Sequence, residues 1–520
     1  MRLPDDEELA SETIAAAASA GVTVFDTARA YEGNERLLAR ALRRCGADER
    51  ARVVTKGGMT REWVPDGRAK SIRADCEASL AALDGVPIDL YLVHAPDPRT
   101  PWATSVRGLA RLADAELVKR VGVANVNRDQ LDEALELAPI AAVQVALSVY
   151  DERALRGGVV ERCEDAGIAL IAHSPLGGPR RARRGPVSAE AALAWLLDLS
   201  PVIVPIPGAT RPDTARSAAH AATLKLDPAD RPVRPRRRPH ATRAGDVVLV
   251  MGIPGAGKSR VAEEYAARGY VRLNRDERGG SLRSLSDELD EQLGAGVARV
   301  VLDNTYLTRA ARSYVLEAAG RYGVAARCIW LDTPLAQAQV NLVERLLERL
   351  GSLPTPEELR ALARREPGVL APTSQMRAVR ELEPPSADEG WAGIEQVTFT
   401  RVPRGARGAV FVAAAAVERA LEQRDPAAPH LVFDWNADGS RVALDSAVAR
   451  LSTAVTGPVE GALCPHPGGP PTCWCRPPLP GLPLAFARTH DVDPARSVLV
   501  GTGAAHRTLA TALGARYVQS

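Results

Sequence analysis

Residues 247–262, VVLVMGIPGAGKSRVA, decide how the middle of this chain folds. Val247 to Met251 is an apolar, partly β-branched run that reads as a buried strand. A loop punctuated by Gly252, Gly255 and Gly257 follows, and a helix opens at Lys258 and Ser259. The glycines let the backbone turn its N–H groups inward, and the helix N-terminus adds a dipole that favours anions, so the stretch reads as a phosphate cradle. In such a cradle Lys258 reaches the β- and γ-phosphates of a nucleotide such as ATP, and Ser259 ligates Mg²⁺. GxxxxGKS between a strand and a helix is a specific pattern; the alternative is a chance Gly-rich turn.

Working outward, a chain of 520 residues has room for about three domains, so material lies on both sides of the cradle. A net charge of +2 with 25% charged residues gives no global pull toward a polyanion, and any such contact must be local. The seven cysteines lack a regular early spacing, and neither an apolar leader nor an 18-residue apolar run is present. These features predict a reduced, cytoplasmic protein with no membrane partner. Only five of the 66 basic residues are lysine. Where arginine is the default cation, a lysine at a chemically suggestive place marks a wanted compact, titratable ammonium.

Residues 1–228 alternate apolar strands with helical stretches. The strand candidates are 22–28, 52–57, 88–94, 118–125, 141–148, 168–174 and 201–208. So many near-continuous apolar strands predict a parallel (β/α)₈ TIM barrel, with the first strand expected near Met1 to Leu3 and cut short. Asp26, Lys56 and His94 fall at strand C-terminal ends, and Tyr31 lies in the loop after the first of them. These four types make sense together as a proton-donating site. An ammonium beside a phenol lowers the phenol's pKa, Asp26 holds Lys56 charged and oriented, and His94 hydrogen-bonds a substrate carbonyl.

The segments GVTVFDTARAYEGNE, VVTKGG, LYLVHAPD, VGVANVN and PIPGATRPDTAR resemble the aldo-keto reductase family across nearly all of 1–228. The resemblance implies hydride transfer from NAD(P)H to a small-molecule carbonyl, with Asp26, Tyr31, Lys56 and His94 as the catalytic tetrad. It further implies Asn125 and Gln144 at the nicotinamide amide, and Gly208, Thr210 and Arg211 at the adenosine phosphate end. Departures are the shortened first strand, His173 where many relatives stack an aromatic, and Ala124 where serine is frequent. The competing expectation is a barrel kept as a scaffold, or one that binds NADPH without turnover, in a nucleic-acid end-repair or regulatory protein. The run PRRARRGP at 179–186 either holds a 2′-phosphate or is a solvated loop.

Residues 229–243 are rich in Pro and Arg and read as a linker. The domain expected over 244–403 brings Asn274, Arg275 and Asp276, then Asp303, Asn304 and Thr305, to the ends of apolar strands, where doubly wound sheets collect ligands. Asp276 is placed to accept a hydroxyl proton, and Asp303 to support Mg²⁺ or water. GIPGAGKS, VRLNRDERGG, VLDNTYLTRAAR, ARCIWLDTPLAQAQ and LEPPSADEGW together resemble the polynucleotide 5′-hydroxyl kinase family. That resemblance implies ATP-dependent phosphorylation of an RNA or DNA 5′-OH, with Asp276 as base and a lid arginine at Arg345 or Arg349. A small-molecule acceptor is the alternative, because other kinases share the scaffold.

Residues 404–520 read as a further small α/β unit. Its loop CPHPGGPPTCWCRPPLPG places Cys464, His466, Cys473 and Cys475 at the spacing of a tetrahedral zinc site, with surface thiols as the alternative. The loop resembles that of zinc-looped haloacid-dehalogenase-type phosphatases. Where that family has its nucleophile-loop aspartates this chain has Ala413 to Ala416, and the late acids become Thr502 and His506. The resemblance therefore implies a HAD-like pseudophosphatase domain, without a carboxylate to form a phospho-enzyme.

Overall fold

The computed structural model of the protein describes residues 3–4, 6–178, 187–227, 242–366, 368–399, 405–423 and 425–520. The Arg-rich run at 179–186 and nearly all of the linker at 229–243 lie outside the described residues. The chain divides into two compact units, Met1–Arg236 and Arg237–Ser520.

In the first unit seven strands, β1 (Val24–Asp26), β2 (Arg52–Gly57), β3 (Ile88–Val93), β4 (Val121–Ala124), β5 (Ile140–Ala146), β6 (Ala169–His173) and β7 (Ile203–Pro205), form one parallel sheet in sequence order. Each is followed by helix, as the alternation of apolar runs requires. Helix Arg128–Leu137 shows how local sequence sets its ends. Asn127 Oδ1 accepts from the Gln130 backbone and Gln130 Oε1 accepts from the Asn127 backbone, closing a capping box of about 1 kcal/mol.

No strand precedes β1 among the described residues, and β1 does not pair with β7. Leu3 instead packs into the core, held where its backbone N–H donates to Asn34 Oδ1 at 2.7 Å. Helices Glu7–Ser19 and Pro212–His220 pack against each other over the gap. A largely apolar cleft of about 270 Å³ remains between β1 and β7.

The second unit holds two five-stranded parallel sheets. The strands β8 (Asp246–Met251), β9 (Val271–Leu273), β10 (Arg299–Asp303), β11 (Ala325–Asp332) and β12 (Gly393–Thr398) run in the order β12-β11-β8-β10-β9. β8, fully buried from Val247 to Met251, is central, so the 247–262 stretch emerges where the strand order reverses, the place at which such sheets bind ligands. The strands β13 (Val410–Ala413), β14 (His430–Trp435), β15 (Val459–Cys464), β16 (Val498–Gly501) and β17 (Arg516–Gln519) form the order β15-β14-β13-β16-β17. Strands β12, β15 and β17 are absent from the sequence expectations. All three are edge strands with polar, half-exposed sequences such as GIEQVT and RYVQ, so no long apolar run marks them.

One buried ion pair ties the β8–β12 sheet to its helices. Arg312 is fully buried and bridges both oxygens of Glu389 at 2.8 and 2.7 Å, while its remaining N–H groups reach the Tyr306, Leu307, Glu383 and Pro384 carbonyls. The carboxylate inside LEPPSADEGW is thus a structural partner of the helix after β10.

Candidate functional site

The barrel mouth is organised around a buried lysine. Lys56 near the end of β2 is 1% exposed, and its Nζ lies 2.7 Å from both Asp26 oxygens and 2.7 Å from the Thr27 carbonyl. Gln144 on β5 donates to Asp26 Oδ2 at 2.8 Å. Burial alone raises the Asp26 carboxyl, but the Lys56 ammonium overcomes it and holds the acid below its ordinary range. Burial likewise pulls the Lys56 ammonium below its ordinary value, with Asp26 opposing. The three acceptors match the three donors of Lys56, and its Nζ sits 5.9 Å from the Tyr31 ring centroid.

Tyr31, His94 and Trp63 form a triangle of rings above this pair. Their centroids are 5.8 Å (Tyr31 to Trp63), 6.3 Å (Tyr31 to His94) and 5.7 Å (Trp63 to His94) apart. Trp63 is absent from the sequence expectations. Its signal is a bulky ring in the short Gly- and Pro-bounded loop after β2, on the face where barrel chemistry sits. Trp63 (φ 61°), Asn125 (φ 57°) and Ser174 (φ 52°) are all left-handed non-glycine residues following strands at the same end of the barrel. Such backbone costs about 1 kcal/mol or more per residue and clusters at functional sites.

Asn125 uses its conformation to donate to the His94 carbonyl at 2.9 Å while its Oδ1 meets His173 Nε2 at 2.9 Å. Of the expected nicotinamide contacts, Asn125 is exposed, whereas Gln144 is 3% exposed and spends its amide on Asp26. Gly208, Thr210 and Arg211 form an exposed shelf before helix Pro212–His220, and a Cβ added at Gly208 would meet nothing within 4 Å.

Burial, reinforced by Lys56, pulls the His94 imidazole down from 6.5 to about 4, so His94 is neutral at pH 7. Because its folded value is depressed, the unfolded chain binds more protons between these two values. The stability that neutral His94 contributes is complete above pH 6.5 and is lost as pH falls toward 4. Calorimetry at constant ionic strength should show the barrel's Tm falling across that window in the parent, with a shallower fall in His94→Gln. Equal slopes in the two proteins would assign the acid sensitivity elsewhere.

In the second unit the P-loop wraps a cavity of about 470 Å³ at the end of β8. Gly252 (φ 148°) and Gly255 (φ 86°) are required there, since a Cβ at Gly255 would lie 2.3 Å from the Ala338 carbonyl oxygen. Asn341 donates to the Gly255 carbonyl and the buried Gln375 to the Pro254 carbonyl, each at 2.8 Å, so the loop is clamped from two helices. Gly257 caps helix Lys258–Ala267, whose exposed Ser259 stands in the first turn. Lys258 Nζ donates to the Gly252 and Ile253 carbonyls at 3.0 Å. Enclosure pulls its ammonium down to about 8, with Asp303 opposing.

Asn274 explains why the NRD and DNT boxes act together. Its Nδ2 donates to the Asp303 carbonyl at 3.0 Å and its Oδ1 accepts from the Asp276 backbone at 2.7 Å, locking the ends of β9 and β10 in register. Asp276 lines the cavity beside Arg275. Asp303 is 1% exposed and both its oxygens carry Arg272, at 3.0 and 2.8 Å, so the carboxylate expected to support Mg²⁺ is committed to an ion pair. The two lid candidates also separate. Arg345 lines the cavity, while Arg349 is paired with Glu366 at 2.5 Å.

Cys464, His466, Cys473 and Cys475 come together, with all four ligand atoms within 4.8 Å of one another. The Sγ–Sγ separations are 3.7 Å (Cys464 to Cys473) and 3.3 Å (Cys464 to Cys475), and His466 Nδ1 lies 3.5 Å from Cys464 and 3.1 Å from Cys475. Tetrahedral Zn²⁺ with its usual bond lengths needs ligand spacings of about 3.5–3.8 Å, and a Cys₃His set is a known structural type. In the same sheet, Ala413 ends β13 and Thr502 follows β16, with the Thr502 N–H on His506 Nδ1 at 3.1 Å. Neither strand end presents a carboxylate at these positions.

The sequence profile of the Aldo/keto reductase family matches residues 2–185, and that of an AAA domain matches residues 247–366. An oxidoreductase of Schizosaccharomyces pombe is 30% identical over 240 residues, which is 43% of this chain and 77% of the relative. A probable aldo-keto reductase of Glycine max is 29% identical over 273 residues, 44% of this chain and 78% of its own. Among solved structures, a glycerol dehydrogenase from Gluconobacter oxydans aligns at 25% identity and TM-score 0.39, covering 44% of this chain and 84% of that one. An aldo/keto reductase from Klebsiella pneumoniae, solved with NADP and acetate, aligns at 22% identity and TM-score 0.37, covering 43% and 83%. No helix among the described residues is long and apolar enough to cross a membrane. The second unit therefore carries a P-loop domain, and through its N-terminal barrel the chain belongs to the aldo/keto reductase family.

Proposed function

We propose that this chain carries two activities: NAD(P)H-dependent reduction of a small-molecule carbonyl in the barrel, and ATP-dependent phosphoryl transfer in the P-loop unit, to a nucleic-acid 5′-OH. The observation that carries the first is the buried Lys56–Asp26 pair beneath the Tyr31 and His94 rings. The substrate oxygen takes its proton from the Tyr31 phenol, whose anion the Lys56 ammonium stabilises. Neutral His94 orients that oxygen, and Trp63 supplies an apolar wall that excludes water. The nicotinamide supplies the hydride when bound. Asn125 and His173 offer polar edges on that side, and the Gly208–Arg211 shelf at a helix N-terminus suits the cofactor's phosphate. Oxidation of NADPH by 4-nitrobenzaldehyde, followed by absorbance, tests this reading. Binding of NADPH without oxidation would leave a sensor in place of an enzyme.

For the second activity, Lys258 and Arg345 hold the phosphates, Ser259 is the protein ligand for Mg²⁺, and Asp276 takes the acceptor's proton. Transfer of labelled γ-phosphate from ATP to a 5′-OH oligonucleotide is expected for the parent and lost, by at least a hundredfold, in Lys258→Ala and Asp276→Asn. ATP binding without transfer to RNA or DNA would move the acceptor to a small molecule. A second expectation follows from the Lys258 ammonium, which is charged below its value of about 8 and neutral above it. ATP affinity, read by isothermal titration from pH 6.5 to 9.5, should be flat to about 8 and weaken above. A flat profile throughout would remove Lys258 from the phosphate contacts.

The Cys/His loop holds structural Zn²⁺ in this reading, in a HAD-like domain that has lost phosphatase chemistry. The donor set supports the metal, and the alanines ending β13 support the loss.

A further inference from the structure

A short chain of contacts joins the Cys/His loop to the phosphate cavity. Trp474 stands between two of the clustered thiols, Cys473 and Cys475, so a metal held by both fixes the backbone on either side of it. Its side chain is 1% exposed and packs in the same apolar cluster as Leu346, Leu347 and Val369. Its indole Nε1 donates to the Leu370 carbonyl at 3.0 Å, across 104 residues of sequence. Two residues before Leu370, the Gly368 carbonyl accepts from Arg345 Nη2 at 2.8 Å. Gly368, Leu370 and Arg345 all line the cavity of about 470 Å³ that the P-loop encloses. Asp493 and Pro494, which precede β16, line it too, so the β13–β17 layer supplies part of the cavity's wall.

Gly368 is left-handed (φ 79°), and a Cβ there would sit 3.5 Å from the Arg345 guanidinium, so the turn and the arginine fit one another closely. Among the described residues Arg345 has no carboxylate within ion-pair distance, whereas Arg349 one turn on is tied to Glu366. The Gly368 carbonyl thus holds the Arg345 guanidinium at the cavity wall.

We propose that the Cys/His loop is a metal-loaded strut for the phosphate cavity. A thiophilic divalent cation, Zn²⁺, held by Cys464, His466, Cys473 and Cys475 keeps Trp474 on the Leu370 carbonyl. That contact fixes the Gly368 turn, which in turn aims Arg345 at bound phosphate. Trp474 is a positioning residue that touches no ligand. The inference rests on the nucleotide reading of the cavity. It also gives the β13–β17 layer a role that needs no carboxylate at its strand ends: support for a neighbouring site.

The test uses the full chain, its zinc content measured by inductively coupled plasma mass spectrometry, and isothermal titration with ATP and excess Mg²⁺. One zinc per chain is expected. Arg345→Ala should weaken ATP binding at least tenfold, as loss of a charged contact does, and Trp474→Phe about fivefold, as loss of one neutral hydrogen bond does. The double variant should bind as weakly as Arg345→Ala and no weaker, because both changes remove the same contact. A general loss of structural integrity would instead multiply the two penalties. If Trp474→Phe does not fold, the parent stripped of zinc with a thiol reagent and chelator, then returned to Mg²⁺, should show the same fivefold loss, reversed by added Zn²⁺. Parent-like ATP affinity in both Trp474→Phe and the stripped protein, multiplicative penalties, or a zinc-free protein whose ATP affinity ignores added Zn²⁺ would each overturn the strut. A zinc-loaded parent that binds no ATP would overturn the nucleotide reading itself, and the strut with it.

Discussion

Tyr31→Phe should lower kcat for carbonyl reduction by at least a hundredfold while leaving NADPH affinity within about twofold. Of Tyr31, Lys56 and His94, the phenol is the proton donor in this reading, because His94 is already neutral at pH 7 and Lys56 spends its donors on Asp26 and Thr27. General acid catalysis of this kind contributes about 10²–10⁴-fold. Removing only the hydroxyl keeps the ring against Trp63 and His94, so the shape of the mouth survives. Stopped-flow NADPH oxidation under single-turnover conditions separates the chemical step from product release. Parent-like turnover by the variant would move the proton donor to another group.

Lys56→Met should cost more than activity. It takes the ammonium away from the buried Asp26 carboxylate, to which Gln144 donates. Breaking one side of a buried ion pair costs about 3–5 kcal/mol, which for a unit of this size lowers Tm by about 6–20 °C. Adding Asp26→Asn removes the stranded charge and should recover most of that stability while restoring none of the turnover. Calorimetry of the single and double variants measures this directly. If the single variant melts where the parent does, the pair is not the centre of the mouth.

What could be read from residue order alone follows from how local each signal is. GxxxxGKS and the strand-end residues Asp26, Lys56 and His94 are legible because a strand fixes which end its last residue reaches. The four metal-ligand candidates are legible from spacing. The choice between Arg345 and Arg349 is not, since residues four apart share a helix face and the deciding partner, Glu366, arrives from another helix. Trp63 escapes for a similar reason: its left-handed backbone and ring contacts depend on loops brought together by three strands. The packing of helices Glu7–Ser19 and Pro212–His220 depends on residues about two hundred positions apart, so no local signal marks it.

That unpaired seam has a consequence for how the barrel breathes. Amides in the middle of a sheet are the slowest to exchange, but among the described residues β1 and β7 each have one side without a strand partner. Amides along this line should be the first in the sheet to take up deuterium, ahead of those in β3 to β5. Because Asp26 sits at the end of β1 and lines the cleft, each such opening also loosens the anchor of Lys56. A small apolar guest such as xenon, lodged between Phe25 and Ile206, would slow that exchange and stiffen the mouth from behind.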